Sequence, residues 1–272
     1  MRECVMQKKR VVVKIGSSSL THPTGKINLH KVDQLAVELT DIKNRGLDVV
    51  LVSSGAIAVG TCALGLEAKP DTLSCRQAAA AVGQAALMQI YEKFFSEYRQ
   101  RIAQILLTKS IMDTEIRRRN AQNTFHELFS YHVIPIVNEN DTIATDEIEV
   151  YDEFGDNDTL SALVAELVGA DLLILLSDID GLFTADPNTD PEARLIHYVD
   201  GITPDIEKMA SGAVSKVGTG GMKTKLNAAQ IAGKAGIDMI IANACRLDNI
   251  GKIMDGEEIG TLFRARGSGW IS

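Results

Sequence analysis

The sequence is poor in the patterns that carry several common chemistries. Its four cysteines, Cys4, Cys62, Cys75 and Cys245, form no C-x-x-C pair and flank no histidine cluster. Zinc and dithiol redox readings therefore have no ligand set, and free thiols in a reducing compartment are expected. Of the five histidines, none has the partners of a catalytic base, and Ser17, Ser18 and Ser19 lack the His–Asp pair that would activate a nucleophile. There is no G-x-x-x-x-G-K-[ST] and no G-x-G-x-x-G, which removes the P-loop and dinucleotide fingerprints. Long hydrophobic runs are missing too. The stretch 172–176 is among the longest, far short of a membrane span. The first ten residues hold no apolar signal core, so a cytoplasmic location without membrane attachment is expected. Basic charge is in deficit: the formal net charge of −8 argues against nucleic acid as a partner. It does not argue against an anionic ligand, because local lysines and glycine-rich loops reverse the field inside one cleft.

What is present is a regular alternation of strand and helix signals. Residues 10–15 form a β-rich run that stops at Gly16. Asn28 is placed to cap a helix whose apolar face is Leu29, Val32, Leu35, Ala36, Leu39 and Ile42, ended by Gly46. Strands are expected over 48–52, 102–107, 133–137, 171–176 and 239–242. Helices are expected over 71–98 (interrupted at Gly83), 115–131, 158–168, 224–235 and 246–254. The strands are apolar throughout rather than alternating. Strand–helix repeats of that kind predict an α/β fold, a three-layer α/β/α sandwich around a mainly parallel sheet. The stretch 138–158 stands apart, with nine acidic residues and no Lys or Arg, and reads as a hairpin-like excursion between functional loops. No repeat or linker divides the chain, so 1–272 is expected to be one domain. Arg117, Arg118 and Arg119 read as a solvated helix face.

In open parallel sheets, ligands bind at the carboxyl ends of the strands. Small, polar or Gly-rich residues follow nearly every strand here: Gly16-Ser17-Ser18-Ser19, Ser53-Ser54-Gly55-Ala56, Asn138-Glu139-Asn140-Asp141 and Ser177-Asp178-Ile179-Asp180-Gly181. The strongest isolated signal is Gly218-Thr219-Gly220-Gly221-Met222-Lys223-Thr224-Lys225 before a helix. Glycines let backbone N–H groups turn towards an anion, and a helix N-terminus adds about half a positive charge. Lys14, at the end of an apolar strand, is a second candidate cation. The carboxylates Asp141, Asp156 and Asp158 could orient lysines or receive a substrate ammonium. Anion-binding and acidic loops on one rim suit a nucleotide together with a zwitterion.

Six segments, VKIGSSSL (13–20), SSGAIAVG (53–60), NENDTI (138–143), FGDND (154–158), SDIDGLFTADP (177–187) and GTGGMKTK (218–225), together resemble the amino acid kinase family, closest to its glutamate-phosphorylating members. They cover nearly the whole chain in the family's order. The resemblance implies ATP and Mg²⁺ as cofactors, and phosphorylation of the γ-carboxylate of L-glutamate to L-glutamyl 5-phosphate, the first step of proline synthesis. It also implies proline as feedback inhibitor, a homo-oligomer, and glutamyl phosphate reductase as the next enzyme. By motif, Lys14, Lys225, Asp158 and Asp156 would be catalytic. Ser54, Asp141, Asn157 and Asn138 would bind glutamate. Lys14, Ser177, Asp178, Thr219, Gly220, Gly221, Met222, Lys223, Thr224 and Lys225 would bind ATP, and no residue is assigned as a metal ligand. Motif register favours Lys225 over Lys223 as the phosphate-facing lysine, although composition does not separate them. Many bacterial members continue into a C-terminal RNA-binding module of the PUA type, whereas this chain is expected to hold the kinase domain without it. Two alternatives are a kinase for acetylglutamate, aspartate or carbamate, and an inactive nucleotide-binding regulatory module.

Overall fold

A computed structural model describes residues 2–22, 24–68, 70–143, 157–187, 189–212 and 221–265. Eight strands form one sheet: β1 (Arg10–Ile15), β2 (Asp48–Ser53), β3 (Ile102–Leu107), β4 (Ile134–Glu139), β5 (Leu172–Ser177), β6 (Tyr198–Val199), β7 (Asp238–Asn243) and β8 (Thr261–Phe263). Their order is β3-β4-β2-β1-β5-β7-β8-β6. All neighbours run parallel except β7 and β8. The chain leaves β1 towards β2 on one side and reaches β5 on the other. This strand-order reversal opens a crevice at the carboxyl ends of β1, β2 and β5.

The pleat of β1 decides which side chains enter which layer, because successive residues point to opposite faces. Val11, Val13 and Ile15 join an apolar layer with the helices Leu29–Asn44, Leu73–Glu97 and Asn249–Met254. Val12 joins the opposite layer with the helices Glu115–Ser130, Asn157–Val168 and Met222–Lys234. Lys14 shares the parity of Val12 and so points towards this second layer. Helices thus cover both faces, which is why the central strands carry no polar alternation.

Most expected elements appear within a residue or two of their predicted bounds. Asn28 accepts from the Lys31 backbone N–H at 3.2 Å, as a helix cap should, and Gly46 adopts φ +90° after the helix ends. Four expectations are corrected. The Leu73–Glu97 helix runs unbroken through Gly83. A Cβ on Gly83 would lie 1.8 Å from the Ala56 carbonyl oxygen, and one on Gly60 would lie 1.8 Å from that of Ala79. Glycine serves here for close contact with the helix Ala56–Ala63, which had not been anticipated. Second, β4 extends through Glu139, since pairing with Leu106 and Leu107 of β3 draws Asn138 and Glu139 into the sheet. Third, the expected 246–254 helix begins only at Asn249. Fourth, the stretch between β5 and the end of the chain holds more elements than expected, with the short strands β6 and β8 and the helix Pro204–Gly212. The hairpin reading of 138–158 falls largely outside the described residues. Among the described residues no helix is long and apolar enough to cross a membrane.

Candidate active site

The helix Asn157–Val168 begins at the crevice, and its first two residues divide the site between them. Asp158 turns towards Lys14 and Lys225. Its carboxylate lies 2.5 Å from the Lys14 Nζ through one oxygen and 3.1 Å from the Lys225 Nζ through the other. The second oxygen also accepts from the Thr224 hydroxyl at 3.0 Å. The Asp158 side chain is only 2% exposed, Lys225 6% and Lys14 11%. Burial would raise the Asp158 carboxyl, but the two lysines outweigh burial and hold it down at about 2. Among the described residues, one buried carboxylate thus holds two ammonium groups side by side. The backbone explains the convergence: Lys14 comes from the end of β1, and Lys225 from the first turn of the Met222–Lys234 helix. A cation in a first helical turn opposes the helix dipole, so Lys225 needs an anion close by, and Asp158 supplies it.

Asn157 turns the other way. Its Nδ2 donates to the Ser54 hydroxyl at 2.7 Å and to Asn138 Oδ1 at 3.1 Å. Asn138 Nδ2 in turn donates to Gln84 Oε1 at 2.9 Å. Asn138 has the parity of Ile134 and Ile136, which face the first apolar layer, so it meets the Leu73–Glu97 helix that carries Gln84. The amide chain therefore crosses from one layer to the other over the rim of the sheet. Next to it, Ser53 and Tyr91 share a buried hydrogen bond of 2.7 Å. Asp141 lies in the turn that follows β4, partly buried.

A third group closes the β5–β7 side. The Ser177 hydroxyl donates to Asp178 at 3.0 Å, the Ala244 N–H donates to the Ser177 carbonyl at 2.7 Å, and Asn243 Nδ2 donates to Asp180 at 2.7 Å. Asp178 is exposed and Met222 is buried. Gly221 precedes the Met222–Lys234 helix as its cap residue. The geometry separates the two lysines that composition could not: Lys223 is exposed, whereas Lys225 is buried against Asp158. Thr219, Gly220 and Asp156 lie outside the described residues.

Of the sequence candidates, the structure thus joins Lys14, Asp158, Thr224 and Lys225 in one cluster and Ser54, Asn138 and Asn157 in another. Gln84 was missed. Its signal was a polar residue on the apolar stripe Ala80, Leu87 and Tyr91 of a long helix, a position that calls for a buried partner. Among the described residues no group of three or more His, Cys, Asp or Glu side chains is placed to hold a metal ion.

Comparison with known proteins now adds to this geometry. The profile of the amino acid kinase family matches residues 9–243. A curated protein from Clostridium perfringens named glutamate 5-kinase is 51% identical over 266 residues, covering 98% of this chain and 99% of its own. Another of that name, from Carboxydothermus hydrogenoformans, is 55% identical over 264 residues, covering 97% of this chain and 70% of its own. Among solved structures, the carbamate kinase from Giardia lamblia bound to AMP-PNP superposes with a TM-score of 0.66 at 18% identity, covering 95% of this chain and 99% of its own, a likeness of fold.

Proposed function

The chain belongs to the amino acid kinase family, and we propose that it transfers the γ-phosphoryl group of ATP to the side-chain carboxylate of L-glutamate, giving ADP and L-glutamyl 5-phosphate. The observation that carries this reading is the split at the start of the Asn157–Val168 helix. Asp158 organises two buried lysines for phosphate, and its neighbour Asn157 joins Ser54 and Asn138 in a polar network suited to an amino acid. The full-length likeness to proteins named glutamate 5-kinase supports glutamate as that amino acid.

The chemistry asks little of the protein beyond placement. A glutamate side chain with an ordinary pKa of about 4.3 is ionised at neutral pH. It needs no general base, which agrees with the lack of a catalytic histidine. A carboxylate oxygen attacks the γ-phosphorus, the bond to the β–γ bridging oxygen breaks, and ADP leaves with the electron pair. The obstacle is repulsion between two anions. Lys14 and Lys225 offset it, while Asp158 holds both ammonium groups in place before the nucleotide arrives. Mg²⁺ would enter as part of the MgATP substrate and would offset charge on the phosphates, beside Lys14 and Lys225. Ser54, Asn138, Asn157 and Asp141 are assigned to glutamate. Ser177, Asp178, Met222, Lys223, Thr224 and the loop before them are assigned to ATP.

The same family membership supports the finer parts of the reading: catalysis of the first step of proline synthesis in the cytoplasm, proline as feedback inhibitor, a homo-oligomeric assembly, and delivery of the labile acyl phosphate to glutamyl phosphate reductase. The test is ADP release from MgATP with L-glutamate, aspartate, acetylglutamate or carbamate, with hydroxylamine present as acyl trap. Glutamate-dependent ADP with matching hydroxamate is expected. Turnover with another acid alone would overturn the substrate, and ATP binding without turnover would overturn the activity.

A further inference from the structure

We propose that Gln84 is a positioning residue that sets the hydrogen-bond polarity of the amino acid subsite, acting through Asn138 on Asn157 and Ser54. This inference rests on the glutamate reading above and concerns a residue that does not itself touch the substrate.

The argument follows the direction of each bond. Gln84 Oε1 is an acceptor, so the Asn138 amide must present its NH₂ to it. Asn138 Oδ1 then faces Asn157 and accepts from Asn157 Nδ2. The same Nδ2 gives its other hydrogen to the Ser54 hydroxyl oxygen. Both hydrogens of the Asn157 amide are thereby engaged, and its Oδ1 is left buried with no partner among the described residues, on a residue only 4% exposed. A buried acceptor in that state calls for a donor. Ser54, having accepted from Asn157, keeps its own proton to give. The result is one acceptor and one donor side by side, the pattern that an α-ammonium and an α-carboxylate require. Without the Gln84 oxygen, the Asn138 NH₂ loses the acceptor that holds it on the first-layer side, and the amide can rotate by half a turn. Asn157 would then follow and present N–H where the ammonium should bind.

The support of Gln84 is built into the fold. Its neighbour Gly83 seats the Leu73–Glu97 helix against Ala56, and Tyr91, two turns on, is hydrogen-bonded to Ser53 beside Ser54. The helix therefore presents Gln84 to Asn138 from a stretch seated at Gly83 and again at Tyr91.

The experiment compares wild type, Gln84→Met and Gln84→Glu by steady-state kinetics. Gln84→Met keeps the length of the side chain and loses the oxygen. It should raise KM for L-glutamate by about tenfold or more, with kcat within about threefold and KM for MgATP within about twofold. Gln84→Glu keeps an acceptor oxygen and should bring KM for glutamate back to within about threefold of wild type. A loss that was only structural would move both substrates and would not be rescued. An unchanged KM for glutamate in Gln84→Met, with wild type active, would overturn this inference and leave the function standing. Wild type without glutamate-dependent turnover would overturn both. Should Gln84→Met fail to fold, Gln84→Glu alone decides, and a tenfold rise in its KM for glutamate would overturn the inference.

Discussion

Replacing Asp158 with asparagine keeps the shape of the side chain and removes the anion held between two buried ammonium groups. The magnitude follows from the ionisation of the carboxyl. Lys14 and Lys225 bring it from 3.8 to about 2 against the pull of burial. At 1.36 kcal/mol per tenfold change in proton affinity, that is roughly 2 kcal/mol in favour of the folded state. Breaking a buried ion pair by removing one partner costs about 3–5 kcal/mol, because the remaining charge is uncompensated. Asp158→Asn should therefore destabilise the free protein by about 2–5 kcal/mol, which for a chain of this size lowers Tm by roughly 5–15 °C. A phosphate-bearing ligand supplies the missing negative charge. A non-hydrolysable MgATP analogue should accordingly raise Tm more in the variant than in wild type. Turnover should fall by about 10²-fold or more, since the two cations lose their common anchor and repel each other. Thermal unfolding with and without the analogue, together with initial rates, measures all three. A variant with wild-type Tm, the same analogue-induced rise and turnover within threefold of wild type would refute the reasoning.

Three further outcomes follow from the same structure. Lys14→Ala should leave Tm within a few degrees and cut kcat by about 10²-fold or more, as loss of a charge contact in the transition state does; initial-rate kinetics check it. Gly83→Ala places a methyl group against the Ala56 carbonyl. It should cost about 3 kcal/mol and lower Tm by roughly 10 °C, as followed by circular dichroism, while Val82→Ala, on the exposed side of that helix, should change Tm little. Because the Asp158 carboxyl titrates lower in the folded protein than its reference of 3.8, its contribution to stability is full above about pH 4 and is lost as pH falls towards 2. Denaturant unfolding at a series of pH values should show a steeper loss across that window in wild type than in Asp158→Asn, which carries no such group.

The strands of the sheet were legible because both of their faces are buried, so 10–15 and 171–176 read as continuous apolar runs flanked by small polar residues. The long helices were legible from apolar spacing and from a cap such as Asn28. β6 and β8, of two and three residues, are too short to carry any period, and they exist because β7 offers an edge to β8 and β8 in turn offers one to β6. Gly83 was misread because an isolated glycine looks the same in sequence whether it interrupts a helix or admits a neighbouring one, and the difference lies in Ala56, far away in the chain. Within the candidate site, Lys14, Asp158 and Lys225 were visible as residues at the end of a strand or the start of a helix. The bond of Asn138 to Gln84 was not, since it depends on pleat parity at the end of β4 and on a helix register set elsewhere. The choice between Lys223 and Lys225 also required three dimensions: two residues apart on a helix, they point about 200° apart around its axis, one to solvent and one to Asp158.

The most direct test of phosphoryl transfer to a carboxylate is oxygen-isotope tracing. L-Glutamate labelled with ¹⁸O in both side-chain carboxylate oxygens is incubated with MgATP, the protein and hydroxylamine, and the released phosphate is examined by mass spectrometry. If a carboxylate oxygen attacks the γ-phosphorus and hydroxylamine then displaces phosphate from the acyl carbon, each phosphate carries one ¹⁸O and the hydroxamate retains the other. Phosphate without ¹⁸O, formed while ADP accumulates, would mean that water rather than glutamate accepts the phosphoryl group, and would contradict the account.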